Sequence, residues 1–137
     1  MHTSEILSTH PGAQGVANSA LVACIEACFD CAQVCTVCAD ADLAEEDVAV
    51  LRTCIRRCLD CSDVCVTTGR VISRRTGIDE PALKRILETC GETCRECAEE
   101  CERHAEHHVH CRVCAEVCRR CEQACGLVAG SITPAVH

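Results

Sequence analysis

Small sulfur-bearing side chains set the apolar pattern of this chain. Cysteines fall into four groups: Cys24, Cys28, Cys31, Cys35 and Cys38; Cys54, Cys58, Cys61 and Cys65; Cys90, Cys94, Cys97 and Cys101; and Cys111, Cys114, Cys118, Cys121 and Cys125. Within each group the steps are three or four residues. Such steps return to one face of a helix that turns once per ~3.6 residues, whereas on a strand they would scatter over both faces. Each group therefore predicts one helix with a cysteine stripe.

The helices are expected near residues 18–40, 43–75, 80–107 and 109–129. Asp42 with Glu45 reads as a capping box opening the second helix, and Gly77 as the C′ residue ending it. Asp79-Glu80-Pro81 reads as the start of the third helix, and Gly130 with Pro134 as the close of the fourth. Residues 1–17, with Pro11-Gly12, form a separate leader in which a short helix can start at Ser4. Residues 131–137 form a tail. Short connections make neighbouring helices antiparallel, so the expected fold is all-α: an up-down-up-down four-helix bundle over residues 18–130. Alternating three- and four-residue steps are the seam of such a bundle, so the four stripes face one another. The result is a sulfur-lined tube, in which a stripe spanning 14 residues covers ~21 Å at ~1.5 Å per residue.

Following the stripes outward distinguishes the two ends. One end continues into Leu21, Thr68, Ile72, Leu87, Leu83 and Val128, an apolar plug. The other continues into Asp42 and Asp47, with Leu51 between, and into His104 and His108, while His107 is met backwards from Cys111. That end reads as a mouth of imidazole and carboxylate. An isolated run like His104-Ala-Glu-His-His-Val-His110 would be a solvated helix junction, but its register with the stripes favours a ligand or transfer role. For Asp42 and Asp47 the plainer reading is that of helix-start residues. His2, His10 and His137, near the termini, read as incidental. Val22, Ile25, Phe29, Val113 and Val117 lie at helical spacing off the stripes; core packing and a subunit contact both remain open for them.

Composition makes the stripes chemically pointed. The chain of 137 residues suits a single domain and holds 18 Cys, one Phe and no Tyr or Trp. A thiol core in place of Leu and Phe is underpacked unless something fills it. A disulfide scaffold would suit a secreted chain. The N-terminal Met1-His2-Thr3-Ser4-Glu5-Ile6-Leu7 has no basic stretch and no long apolar run, so a cytosolic protein is expected. No stretch reads as a membrane span. A net charge of −8 with no basic stripe and no interleaved aromatics argues against nucleic acid.

Soft thiolates favour Cu(I), Zn(II) and iron–sulfur clusters. Zinc prefers separate closed tetrahedral sites, and no group matches the ferredoxin spacing. Continuous rows suit Cu(I), which accepts two or three thiolates. One Cu(I) per thiolate leaves the core near neutral, whereas one Zn(II) per four leaves −2 at each site. Copper is thus the expected cargo, on the order of one Cu(I) per thiol, with zinc or a general thiophilic-metal buffer the runner-up. An enzyme is not expected: Cys35/Cys38 and Cys58/Cys61 have C-x-x-C spacing but lie inside helices rather than at a thioredoxin-like helix start. A copper- or oxidation-driven switch would not need 18 ligands.

Repeated C-x-x-x-C-x-x-C-x-x-x-C runs on four helices resemble the bacterial copper storage proteins over residues 18–130, specifically their cytosolic branch. The resemblance implies a homotetramer of bundles that fill with many Cu(I) ions on cysteine thiolates. It also implies histidines at the open end that help ions enter, a role His104 and His108 match best, ahead of His107 and His110. Copper ions are the expected partners, a copper chaperone is a candidate donor, and neither nucleic acid nor membrane is expected.

Overall fold

A computed structural model describes residues 2–132 of the chain. Its helices are α1 (Thr3–Ser8), α2 (Ser19–Ala44), α3 (Arg52–Ser73), α4 (Glu80–Glu102) and α5 (Val109–Ser131), with single 3-10 turns at Pro11–Ala13 and Val48–Leu51. No strand occurs among the described residues. Helices α2 to α5 form a closed ring in which each packs on its two neighbours, and α1 lies against α2.

Cross-helix pairs establish the antiparallel order. Cys24 near the start of α2 meets Cys125 near the end of α5, while Cys38 near the end of α2 meets His110 near the start of α5. Likewise Cys54 meets Cys101 and Cys65 meets Cys90 across α3 and α4. The α2–α3 contact is close at Phe29, whose ring stands 3.0 Å from where a Cβ on Gly69 would lie. A side chain there would require the Phe29 ring to give by a few tenths of an ångström. On the same contact Thr36 and Ser62 share a 2.7 Å hydroxyl hydrogen bond, and Ser62 donates to the Ala32 carbonyl.

Two helix starts follow local rules. Asn18 accepts from the Leu21 amide at the start of α2, and Asp79 accepts from the Ala82 amide at the start of α4, with Pro81 in the first turn. Such caps are worth ~1 kcal/mol each.

Several boundaries differ from the sequence expectation. Helix α2 runs on to Ala44 and α3 begins only at Arg52, so Asp42 and Glu45 form no capping box. Asp42 is four residues beyond Cys38, and that step keeps it on the core face for one more turn, where it is fully buried. Helix α4 stops at Glu102, not 107, and residues 103–108 make the turn into α5. Arg74, not Gly77, caps α3; Gly77 lies farther along the loop at φ +63, a left-handed conformation suited to glycine. Gly130 is inside α5, which ends at Ser131; Pro134 and His137 lie outside the described residues. Helix α2 is also long and apolar enough to cross a membrane, contrary to the expectation that no stretch is. Its five cysteines, which supply part of that hydropathy, face the bundle core.

Candidate metal-binding core

All 18 cysteines are free thiols and all are buried. A disulfide-braced core is therefore not what the chain builds. Each stripe occupies the inner face of its helix, so sulfur takes the volume that leucine would fill in an ordinary bundle. Neighbouring sulfurs approach closely across helices. Cys35 lies 3.5 Å from Cys118 and 3.6 Å from Cys114, Cys65 lies 3.6 Å from Cys94, and Cys54 lies 3.6 Å from Cys101.

The sulfurs also gather into sets of four whose ligand atoms lie within 4.8 Å of one another. Cys31, Cys65, Cys94 and Cys121 form one such set; Cys31, Cys35, Cys61 and Cys118 form another; Cys35, Cys97, Cys114 and Cys118 form a third. These sets share members: Cys31 belongs to the first two, Cys35 and Cys118 to the last two. Cys121 links onward to a set with Cys28, Cys90 and Cys125, and toward the other end stands Cys38, Cys54, Cys58 and Cys101. Discrete tetrahedral zinc sites would need separate quartets, each closed on itself. Shared vertices instead suit an ion that accepts two or three sulfurs and lets a thiolate bridge.

A crowd of thiols cannot ionise together without cations. Cys54 is pulled down by hydrogen bonds from the Cys101 and Cys111 thiols. Cys101 is pushed well up by its bonds to Cys114 and Cys38. A thiolate stabilised at one position holds a proton at the next, and bound metal removes that restriction by supplying the positive charge.

The two ends differ as the stripes imply. At one end Leu21, Thr68, Ile72 and Leu87 are buried, and Leu83 and Val128 pack against them. Thr68 turns its hydroxyl onto the Val64 carbonyl, so it adds no free polar group to the plug. Off the stripes, Ile25 and Val117 are buried and Phe29 packs on the core, whereas Val113 is exposed.

At the other end, His110 stands closest to the sulfurs. Its Nδ1 is 3.4 Å from Cys38 Sγ, 3.6 Å from Cys111 Sγ and 3.5 Å from Asp42 Oδ1. Cys111 donates to Asp42 Oδ1 at 3.5 Å, while Asp42 Oδ2 and His110 Nε2 are buried without a hydrogen-bond partner. Burial pushes the Asp42 carboxyl up to about 8, and the neighbouring Cys54 thiol adds to the shift. Soft sulfur, imidazole nitrogen and a carboxylate oxygen thus meet in one small space, a donor set that could hold a metal ion.

His104 and His108 pair with carboxylates instead. His104 Nε2 meets Glu100 Oε2 at 2.9 Å. His108 sits between Glu45 and Asp47, at 2.9 Å from its Nδ1 and 3.0 Å from its Nε2, and the Asp47 carboxylate raises its pKa above the usual histidine value. The rings of His108 and His110 stack 5.5 Å apart. His107 points into solvent. His2 pairs with Glu5, and His10 bonds Thr76 and the Gly12 amide, both in the leader and away from the tube.

The carboxylates were the least visible part of this site in the sequence. Asp42 read as a helix start because the end of α2 was placed too early; the four-residue step from Cys38 was the available signal. Glu100 precedes Cys101 and stands four before His104, the helical step that brings the two side chains together. Glu45, whose spacing from Asp42 suggests a capping box, instead reaches across to His108.

A sequence model of the copper storage proteins matches residues 17–130. The chain belongs to the copper storage protein family. Among solved structures, the copper storage protein of Streptomyces lividans loaded with 10 copper equivalents is 46% identical, with a TM-score of 0.87, over 93% of this chain and 98% of that one. The cytosolic S. lividans protein with five coppers is 51% identical, with a TM-score of 0.82, over 83% of this chain and 95% of that one. Apo copper storage protein 3 of Bacillus subtilis is 33% identical, with a TM-score of 0.65, over 78% and 96%. Variants of the S. lividans protein with one or two histidines replaced by alanine are also similar. None of the curated proteins compared matches the chain.

Proposed function

We propose that this chain is a cytosolic Cu(I) store that fills the sulfur tube through its histidine end. The carrying observation is the set of 18 buried free thiols in vertex-sharing quartets. Monovalent copper bound about one per thiolate cancels the charge created when each thiol loses its proton, which a buried core requires. Zinc at one per four thiolates would leave charge stacked along the tube, so it remains the second choice. The ligands are the 18 cysteines, with His110 and Asp42 completing the outermost site beside Cys38 and Cys111. His104 and His108, each held by carboxylates, flank the way in, and His107 receives ions from solvent. The two histidines replaced together in the S. lividans variant are four positions apart, the spacing of His104 and His108 here.

The chain carries out no catalytic cycle in this reading: copper enters and leaves without change of oxidation state. It works as a homotetramer, with exposed apolar side chains such as Val113 available for subunit contact, and a copper chaperone is its donor. The test is metal content. Protein purified anaerobically from copper-supplied cells is expected to carry many Cu per chain and little zinc, and to elute as a tetramer. A zinc-loaded or metal-poor protein from such cells would overturn the reading.

A further inference from the structure

The charge of this protein is gathered at one end. Residues 40–52 and 99–112, which form the mouth, hold eight carboxylates besides the buried Asp42 against Arg52, Arg103 and Arg112, a formal −5 without Asp42, against −8 for the whole chain. Asp40, Glu46 and Glu106 in this rim are exposed and, among the described residues, have no ion-pair partner. The opposite end has the reverse balance. Residues 70–88 carry Arg70, Arg74, Arg75, Lys84 and Arg85 against Asp79, Glu80 and Glu88. Most arginines along the bundle wall are paired, as in Arg57–Glu96 and Arg119–Glu102, but Arg70, Arg74, Lys84 and Arg85 have no carboxylate partner among the described residues.

A second observation points into the acidic rim. Asp42 is fully buried between the rim and the first thiols, and its Oδ2 has no hydrogen-bond partner. A desolvated oxygen left open in that position favours an arriving cation.

We infer that the mouth selects its copper donor by charge: it takes Cu(I) from cationic carriers and holds off anionic Cu(I) complexes. The inference rests on the storage reading and adds the class of donor to it. A rim of one sign concentrates ions of the other and raises their encounter rate by ~10- to 1,000-fold, falling steeply with salt. The positive end does not compete, because Leu21, Ile72 and Leu87 close it. Transfer itself is ligand exchange. A bond from copper to a carrier ligand breaks as a bond to a thiolate sulfur forms; the thiol proton passes to water, and copper stays Cu(I) throughout.

The test uses two carriers and two proteins under anaerobic conditions. Reduced protein is mixed with the monocationic tetrakis(acetonitrile) complex of Cu(I), or with the trianionic bis(bicinchoninate) complex. The salt is non-coordinating and runs from about 10 mM, where the Debye length is ~30 Å, to about 1 M, where it is ~3 Å. The loading rate from the cation is expected to fall by ~10-fold as salt rises, and that from the anion to increase. In the triple variant Asp40→Asn, Glu46→Gln, Glu106→Gln both slopes flatten, while the final copper content stays that of the wild type. Salt slopes of the same sign for both carriers, or slopes unchanged in the variant, would overturn the inference. Saturation of the wild type after only a few coppers would instead overturn the storage reading, and the slopes would still report on the rim.

Discussion

The two ends of the sulfur tube are made by the same four helices, yet they solve opposite problems. At the plug, Leu21, Ile72 and Leu87 fill space well, and the one polar side chain among them, Thr68, satisfies itself on its own helix. At the mouth, Asp42 is buried and His110 half-buried, each with one enclosed atom that lacks a hydrogen-bond partner, and carboxylates hold the neighbouring imidazoles. A bundle built only for stability would not leave unpaired polar atoms in its core, since each costs ~1–3 kcal/mol. The contrast teaches where the protein accepts a local cost and what the cost is for: an ion that completes those groups. Between the two ends the thiols are neither well-packed hydrocarbon nor paired polar groups, and copper resolves both deficits together.

The largest test of this contrast is filling the tube. Apo protein is expected to stay helical and to melt well below the copper-loaded form. An ion at a hundred times its dissociation constant adds ~2.7 kcal/mol at a single site, and many sites contribute. Circular dichroism on heating would show it. An unfolded apo protein would contradict a tube that exists before its cargo.

Next in size is the plug. Leu87→Ala removes a side chain that is 1% exposed and leaves a cavity, so apo stability should fall by ~2–5 kcal/mol in denaturant unfolding. Its copper capacity should stay that of the wild type, because no ligand is lost. A large loss of capacity would show that the plug belongs to the store and that the two ends are not functionally distinct.

The mouth gives a smaller effect that depends on pH. The native Asp42 carboxyl is pushed up to about 8, against ~3.9 in an unfolded chain. Between those values the native state binds the extra proton, so this group makes stability fall as pH rises, by at most ~1.4 kcal/mol per pH unit. In apo protein, Asp42→Asn should therefore flatten the decline in stability between about pH 4 and about pH 8. An unchanged pH profile would mean that the carboxyl is relieved by something other than burial of an unmatched charge.

Much of this contrast was legible before any coordinates. The three- and four-residue steps gave helix type and the inward face, because periodicity on that scale has one geometric solution, and the short connections gave the antiparallel order. The plug was legible for the same reason, since apolar residues continue the stripes. The mouth was legible only in part. Its histidines were visible, but their order of importance was not: stripe register favoured His104 and His108, whereas His110 reaches Cys38 and Cys111. A residue that opens a helix points its ring according to the turn before it, and the six-residue turn from Arg103 to His108 was hidden in an overlong third helix. Asp42 was obscured in the same way by a helix end placed four residues too early.

The measurement that bears most directly on the account is an anaerobic titration of the fully reduced protein with Cu(I), followed to saturation by metal analysis. The account predicts continued tight uptake to about one Cu(I) per thiol, ~18 per chain, with the thiolate absorption rising throughout. Saturation after a few equivalents, with most thiols still reactive toward a thiol reagent, would contradict it.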